Sequence, residues 1–131
     1  MHVDASAIVA ITTREPEHAE LIARLDRAPS RSTSPLSLYE ASLGIARKLD
    51  WSQTEARRLV AMFLAQADIE VIAIDQPVWV AAIEAFERFG RGRHPAGLNM
   101  GDCFAYACAK TRGEPLLFKG NDFPLTDVAV A

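Results

Sequence analysis

The chain has 131 residues, 50% of them hydrophobic, which suits one compact domain with a core large enough to fold without disulfides. Charged residues make up 24% of the chain, so it is neither disordered nor fibrous by composition. The formal net charge of −3 argues against a generally basic nucleic-acid coat and leaves room for a local basic patch. The chain shows no cleavable leader pattern and no apolar run approaching about 18 residues, so we expect a soluble, cytosolic protein.

Hydrophobic periodicity predicts that strands and helices alternate along the chain. We predict strands at 1–4, 31–34, 69–74, 114–118 and, as a last edge strand, 128–130. We predict helices at 15–28, 35–49, 55–67, 75–89 and from 99 onward, with a helical turn directly after Asp4. This alternation predicts a parallel sheet. Cys103 and Cys108 lie about 140° apart around the last helix, so we expect two buried free thiols.

Four acidic residues stand apart from other charges, among apolar or small neighbours: Asp4, Glu40, Asp102 and Asp122. Three of them have simple local explanations. Asp4 suits the cap of a helical turn, Asp102 completes a capping box with Asn99, and Asp122 follows the turn sequence Gly-Asn.

Glu40 is harder to explain as an ordinary surface residue. A surface glutamate in a helix usually has a lysine or arginine three or four residues away, whereas Glu40 has Leu36, Leu43 and Gly44. It is also the only charged residue between Ser34 and Arg47. An exposed glutamate is the alternative, but the pattern favours a carboxylate that faces other buried groups.

The four acids are expected to meet at one edge of the sheet. In parallel sheets the carboxyl ends of strands and the adjacent helix starts converge there, and Glu40 could reach the same edge from inside its helix. Four carboxylates brought together repel one another unless a cation neutralises them, and oxygen ligands suit Mg²⁺ or Mn²⁺. The sequence therefore predicts an acidic metal pocket.

A basic loop leads directly into the helix that carries Asp102. The segment 90–97 contains Arg91, Arg93 and His94 and no acid. It is either a solvated loop or a site that holds phosphates next to the acidic pocket. Phosphate-binding loops, serine nucleophile elbows, His-Glu-x-x-His and paired Cys-x-x-Cys motifs are all missing, which leaves attack of activated water on a phosphodiester as the favoured chemistry.

Four segments in succession resemble the motifs of PIN-domain nucleases, specifically the VapC-type toxin ribonucleases of prokaryotic toxin–antitoxin pairs. They are Asp4-Ala5-Ser6-Ala7, the lone Glu40, Gly101-Asp102-Cys103-Phe104-Ala105-Tyr106-Ala107, and Lys119-Gly120-Asn121-Asp122-Phe123. The resemblance spans the whole chain, and the loop 91–99 is similar to that of one subgroup of these toxins. It implies a three-layer α/β/α sandwich with a central, mainly parallel sheet. One departure is Ala5, where many relatives carry a hydroxyl residue.

The resemblance also implies an activity, endonucleolytic cleavage of RNA with Mg²⁺ or Mn²⁺, leaving a 5′-phosphate and a 3′-hydroxyl. It further implies a homodimer and a hetero-oligomer with a VapB-type antitoxin. By this resemblance the catalytic and metal-binding residues are Asp4, Glu40, Asp102 and Asp122, with Ser6 and Asn121 as hydrogen-bonding supports. We expect the RNA to be held by Arg91, Arg93, His94 and Lys119.

Two other functions are compatible with parts of the sequence. The chain could be a binding module with little catalytic activity, in which Trp51, Met62 and Phe63 form an apolar groove for a partner helix. A receiver-like phosphoacceptor is less favoured, because Glu40 lies inside a predicted helix and Lys119 precedes an acid in a turn.

Overall fold

The computed structural model describes residues 1–131 as four short strands and six α-helices. The strands are β1 (His2–Val3), β2 (Ser32–Thr33), β3 (Glu70–Val71) and β4 (Leu116–Leu117). The helices are α1 (Ala5–Thr12), α2 (His18–Asp26), α3 (Pro35–Leu49), α4 (Gln53–Gln66), α5 (Gln76–Phe89) and α6 (Met100–Arg112), followed by a 3-10 helix (Phe123–Leu125).

The sheet is parallel throughout and has the order β3-β2-β1-β4. Two hydrophobic clusters cover its faces: one is built mainly from α1 to α4 and the other from α5, α6 and the C-terminal segment. Leu116 belongs to the second cluster and its neighbour Leu117 to the first, as expected when successive strand residues point to opposite faces. The predicted three-layer α/β/α sandwich is therefore confirmed.

The helix starts follow local capping signals in the sequence. Ser34 caps α3 by accepting a hydrogen bond from the Ser37 N–H, and Pro35 opens the helix at its first position, where a backbone N–H has no partner inside the helix. Ser52 and Glu55 form a capping box at α4, and Asn99 and Asp102 form another at α6. These signals place the starts of three helices within a few residues of their predicted positions.

Three predicted elements are wrong in extent. The helix predicted from residue 15 begins at His18, because the chain turns at Arg14, which adopts a φ of 53°, and residues 16–17 still lie in a turn. The predicted strand 69–74 is reduced to β3, an exposed edge strand that pairs only with β2. The predicted strand 128–130 makes a single bridge, from Val130 to Leu116, because the preceding turns bring the chain back to β4 only there.

None of the six helices combines the length and the apolar character needed to cross a bilayer. Cys103 and Cys108 are free and buried inside α6.

Candidate active site

Asp4 lies at the carboxyl end of β1 and caps α1. Its carboxylate is buried, and Oδ2 accepts hydrogen bonds from the Ser6 backbone N–H at 3.0 Å and from the Ser6 hydroxyl at 2.5 Å. Burial raises the pKa of Asp4 above its usual range, and the bonds from Ser6 oppose that shift. Asp4 therefore caps α1 and at the same time lies in a buried position.

Asp102 lies in the first turn of α6, where the capping box holds it. Its Oδ2 accepts a hydrogen bond from the Asn99 N–H at 3.0 Å, and its own N–H donates to Asn99 Oδ1 at 2.9 Å. Burial raises the pKa of Asp102 to about 6, against the hydrogen bond from Asn99, and the negative charges of Asp4 and Asp122 add to the rise. Asp102 therefore shares its electrostatic surroundings with both of these acids.

Glu40 projects from α3 into the same cluster. Its carboxylate makes no hydrogen bond and no ion pair within the chain, and it lies against the backbone of Gly101 at the start of α6. Burial first, and then the charges of Asp4 and Asp102, raise the pKa of Glu40 to about 7. The alternative of an ordinary exposed glutamate is therefore wrong.

Asp122 lies at the rim of this cluster. It follows the turn after β4, its side chain is exposed, and it makes no capping bond to the 3-10 helix that begins at Phe123. Its negative charge contributes to the raised pKa of Asp102. The structure thus brings the buried Asp4 together with the half-buried Glu40 and Asp102 and places the exposed Asp122 at the solvent side of this cluster.

The chemistry of this cluster fits a hard divalent cation. In this arrangement no group of three or more acidic, histidine or cysteine side chains is placed closely enough to hold a metal ion. However, Asp4 and Asp102 each use Oδ2 in the bonds described above, which leaves Oδ1 of both without a side-chain partner. Glu40 has both oxygens unpaired. Such a set of oxygen donors, with mutual repulsion that a cation would relieve, suits Mg²⁺ or Mn²⁺.

Of the two predicted supporting residues, only Ser6 contacts an acid of the site. Its hydroxyl also accepts a 3.0 Å hydrogen bond from the Lys119 N–H, so it joins the first turn of α1 to the loop after β4. Asn121 is exposed and its side chain makes no hydrogen bond, but it lines a cavity of about 560 Å³ beside Lys119.

The Lys119 side chain turns to acidic residues rather than to the open site. Its Nζ pairs with Glu15 and, at 3.3 Å, with Glu17, while Glu15 also pairs with Lys48. Sequence reasoning missed Glu15, because its partners are 33 and 104 residues away and no local spacing points to them. The Lys119 ammonium group, predicted to bind RNA, is therefore already paired with two carboxylates of the chain.

The basic loop is held in a defined shape. The Arg91 N–H donates to the Leu98 carbonyl at 3.0 Å, and the Leu98 N–H donates to the Phe89 carbonyl at 2.9 Å. His94 packs edge-on against the Phe89 ring, with 5.2 Å between ring centroids, and its Nδ1 accepts from a backbone N–H inside the loop. His94 therefore stabilises the loop from within.

The two arginines of the loop are exposed, in contrast to His94. The Arg91 charge lowers the pKa of Asp102, so this guanidinium lies within electrostatic reach of the acids. The Arg93 guanidinium stacks over the Phe86 ring at 5.3 Å. Neither arginine forms an ion pair within the chain, so both charges are open to an anionic ligand.

The apolar groove predicted from Trp51, Met62 and Phe63 does not form as one surface. Met62 and Phe63 line a groove of about 370 Å³ together with residues of α1 and α2, and Trp51 is not part of its lining. A second groove, of about 480 Å³, lies between α3 and α4 and is lined by Leu38, Tyr39 and Leu43 among others.

The model of the PIN domain family matches residues 1–129. The chain belongs to the PIN domain family. Within that family its relatives are VapC ribonucleases. It is 43% identical to the ribonuclease VapC of Mycolicibacterium smegmatis, with 98% of each chain covered, and 43% identical to the VapC ribonuclease R02377 of Rhizobium meliloti, with 96% and 97% covered. Ribonuclease VapC30 of Mycobacterium tuberculosis is 39% identical over 98% of this chain and 96% of its own.

A solved structure shares the fold of this PIN domain. The crystal structure of VapC20 of Mycobacterium tuberculosis, described as a sarcin-ricin loop cleaving toxin, superposes with a TM-score of 0.75. The two proteins are 17% identical, and the match covers 99% of this chain and 97% of VapC20. The predicted membership of the VapC-type PIN domains is therefore confirmed, while the roles of individual residues stay predictions.

Proposed function

We propose that this PIN domain is an endoribonuclease that requires Mg²⁺ or Mn²⁺ and acts as the toxin of a toxin–antitoxin pair. One observation carries the proposal: three carboxylates, from the end of β1, from α3 and from α6, lie in a partly buried cluster in which none of them forms an ion pair within the chain. The relatives named VapC ribonuclease, which match almost the whole chain, support the reaction and its substrate class.

In this proposal Asp4 and Asp102 hold the principal cation through their Oδ1 atoms. Glu40 and Asp122 complete the set of ligands, directly or through water. When bound, such a cation activates water for attack on a phosphodiester and offsets the charge that develops on the phosphate. Ser6 orients the Asp4 carboxylate through two hydrogen bonds, and the capping box orients Asp102.

Arg91 and Arg93 bind the RNA backbone in this proposal. Both guanidinium groups are exposed and unpaired, and the loop that carries them ends where α6 begins. His94 acts by shaping the loop. Lys119 contributes less to RNA binding than its charge alone predicts, because Glu15 and Glu17 already pair with it. Asn121 lies next to Asp122 and is proposed to support the RNA or the loop that carries Asp122.

The proposed partners are RNA, a second copy of the chain and a VapB-type antitoxin. Exposed apolar side chains on α5, including Trp79 at 53% and Ile83 at 52% exposure, support burial in a homodimer or hetero-oligomer. The apolar groove between α3 and α4 supports binding of a helical partner segment. Since the proposed substrate is RNA, the proposed place of action is the cytoplasm.

The test is RNA cleavage by the chain purified free of any partner. A labelled RNA pool is incubated with Mg²⁺, with Mn²⁺ and with a chelator, and Asp4→Asn is assayed beside the wild-type protein. We expect metal-dependent cleavage that Asp4→Asn lowers by at least about 100-fold, because a ligand of the activating cation is lost. Asp26→Asn, an exposed acid outside the cluster, is the control and is expected to cleave normally.

The stability of the variant separates loss of chemistry from loss of fold. Asp4→Asn keeps an oxygen acceptor for Ser6 and removes a buried charge, so we expect its metal-free form to be at least as stable as the wild type. Full activity of a folded Asp4→Asn protein would contradict the proposal. Binding of Mn²⁺ by a wild-type protein that cleaves no RNA in any pool would favour the binding-module alternative.

A further inference from the structure

Gly101 occupies the second position of α6, between the exposed Met100 and Asp102. Its backbone is not in the left-handed region, so the conformation does not require glycine. Glycine is less favourable than alanine inside a helix, because it loses more conformational freedom on folding. Gly101 is also buried, so an exposed turn does not explain it. Another reason is needed for the missing side chain.

The space that a side chain would fill at Gly101 is taken by Glu40. The three atoms nearest to a Cβ built on Gly101 are Oε1, Oε2 and Cδ of Glu40, all from one carboxylate, and all would overlap it. Glu40 reaches this position from α3, and α6 approaches from the other face of the sheet. The missing Cβ is therefore what lets the carboxylate lie against the first turn of α6, beside Asp102.

The overlap is with the end of a flexible side chain and not with backbone. A methyl group at residue 101 would thus push the Glu40 carboxylate aside without opening the fold. The carboxylate would leave its present position, in which it senses the charge of Asp102. The helix itself would accept alanine readily.

We propose that Gly101 is a positioning residue, which places the Glu40 carboxylate within the acidic cluster by leaving its space open. The proposal rests on the proposed function in that Glu40 is taken as a cation ligand. Gly101 itself touches neither cation nor RNA in this view. Its influence passes entirely through Glu40.

The test is a double-mutant cycle of Gly101→Ala and Glu40→Ala, with Mn²⁺ as the probe. Mn²⁺ binding to the metal-free proteins is followed from the electron paramagnetic resonance signal of the free ion. We expect Gly101→Ala to weaken Mn²⁺ binding by about tenfold or more, as changes next to metal ligands do. In the Glu40→Ala background, the same change is expected to alter binding less than about twofold, because the group it displaces is absent. Met100→Ala, in the same turn, is the control and is expected to leave binding unchanged.

Thermal unfolding of the metal-free proteins gives a second readout that needs no cation. We expect Gly101→Ala to raise the melting temperature more in the Glu40→Ala background than in the wild type, because only the wild type has a carboxylate to displace. A purely structural glycine would instead give a lower melting temperature in both backgrounds.

Two results would overturn the proposal: equal effects of Gly101→Ala on the melting temperature in both backgrounds, or an equal loss of Mn²⁺ affinity in both. Failure of the proposed function has a different signature. A wild-type protein that binds no Mn²⁺ or cleaves no RNA contradicts the nuclease, and the melting-temperature cycle still decides whether Gly101 acts through Glu40.

Discussion

The hydroxyl of Ser6 accepts a 3.0 Å hydrogen bond from the backbone N–H of Lys119, 113 positions later in the chain. The same hydroxyl donates to Oδ2 of Asp4 at 2.5 Å. One small side chain therefore orients a buried carboxylate and fastens the loop that follows β4. That loop leads to Asp122, so Ser6 couples two parts of the candidate site.

Replacing Ser6 by alanine removes both of these bonds. We expect the free energy of unfolding to fall by about 1–2 kcal/mol, the usual cost of losing hydrogen bonds to a charged acceptor and a backbone donor. RNA cleavage should fall as well, since Asp4 loses its side-chain donor and is then held by backbone N–H groups alone. Urea unfolding and the cleavage assay measure the two effects. Ser42→Ala loses one bond to a carbonyl in α3 and serves as the control, with normal cleavage expected. Unchanged stability and activity in Ser6→Ala would show that the coupling has no consequence.

The raised pKa of Glu40 predicts how stability depends on pH. The folded protein keeps a proton on Glu40 up to a pKa of about 7, whereas the unfolded chain releases it near 4.5. The contribution of Glu40 to stability is therefore fully present below pH 4.5 and is lost as the pH rises through 7. We expect this to lower the free energy of unfolding of the metal-free protein by on the order of 1–3 kcal/mol between pH 5 and 8.

The buried His2 acts in the opposite direction over part of the same range. Burial lowers its pKa from 6.5 to about 4, so its contribution is lost as the pH falls below 6.5. Urea unfolding of the wild type and of Glu40→Gln across this range separates the two effects, since His2 is present in both proteins. The wild type is expected to lose more stability on going to pH 8. Identical pH dependence in the two proteins would contradict the shift assigned to Glu40.

The salt dependence of RNA binding tests the basic loop. In the cleavage-deficient Asp4→Asn background, replacing Arg91 and Arg93 together by alanine should reduce the slope of log K against log salt by about 1.4, or 0.7 for each phosphate contact on a single strand. Lys119→Ala should change the slope less, because its charge is already paired. Arg58→Ala, on the exposed face of α4, is the control. A slope unaffected by loss of both loop arginines would exclude them from the RNA contact.

Tyr106 and Asp127 fasten the C-terminal segment to α6. The Tyr106 hydroxyl donates to Asp127 Oδ1 at 2.5 Å, and Arg88 donates to Oδ2 at 3.1 Å. Together with Lys110, these bonds lower the pKa of Asp127 to about 2. We expect Tyr106→Phe to lower the free energy of unfolding by about 1–2 kcal/mol at pH 7, as for a hydrogen bond to a charged group. Because the depressed pKa keeps Asp127 ionised, this loss should persist at pH 5 and shrink only as the pH falls toward 2. Urea unfolding of the wild type and of Tyr106→Phe at pH 7, 5 and 2 measures this loss of stability. Equal stability of the two proteins at pH 7 would contradict the prediction.

Much of the fold could be predicted from the sequence, because the signals for helix starts are local. Ser34 accepts a hydrogen bond from the Ser37 N–H, and Asn99 and Asp102 bond each other's backbone N–H, so free backbone groups at both helix starts are satisfied within three residues. The strands were harder to delimit, since each is two residues long and offers almost no alternating pattern. The strand predicted at 69–74 is longer than β3, because the position of this segment at the sheet edge, next to β2, decides how many of its residues pair.

The sequence by itself determined the acidic residues of the candidate site and the elements that carry Asp4 and Asp102. Both acids are held by hydrogen bonds to residues two or three positions away, which depend on local backbone geometry alone. Only the tertiary structure decided that Lys119 pairs with Glu15 and Glu17, and that the Glu40 carboxylate fits against Gly101. These contacts join residues that are far apart in the chain, so they depend on how the helices pack across the sheet. A pattern read over a few residues carries no information about that packing.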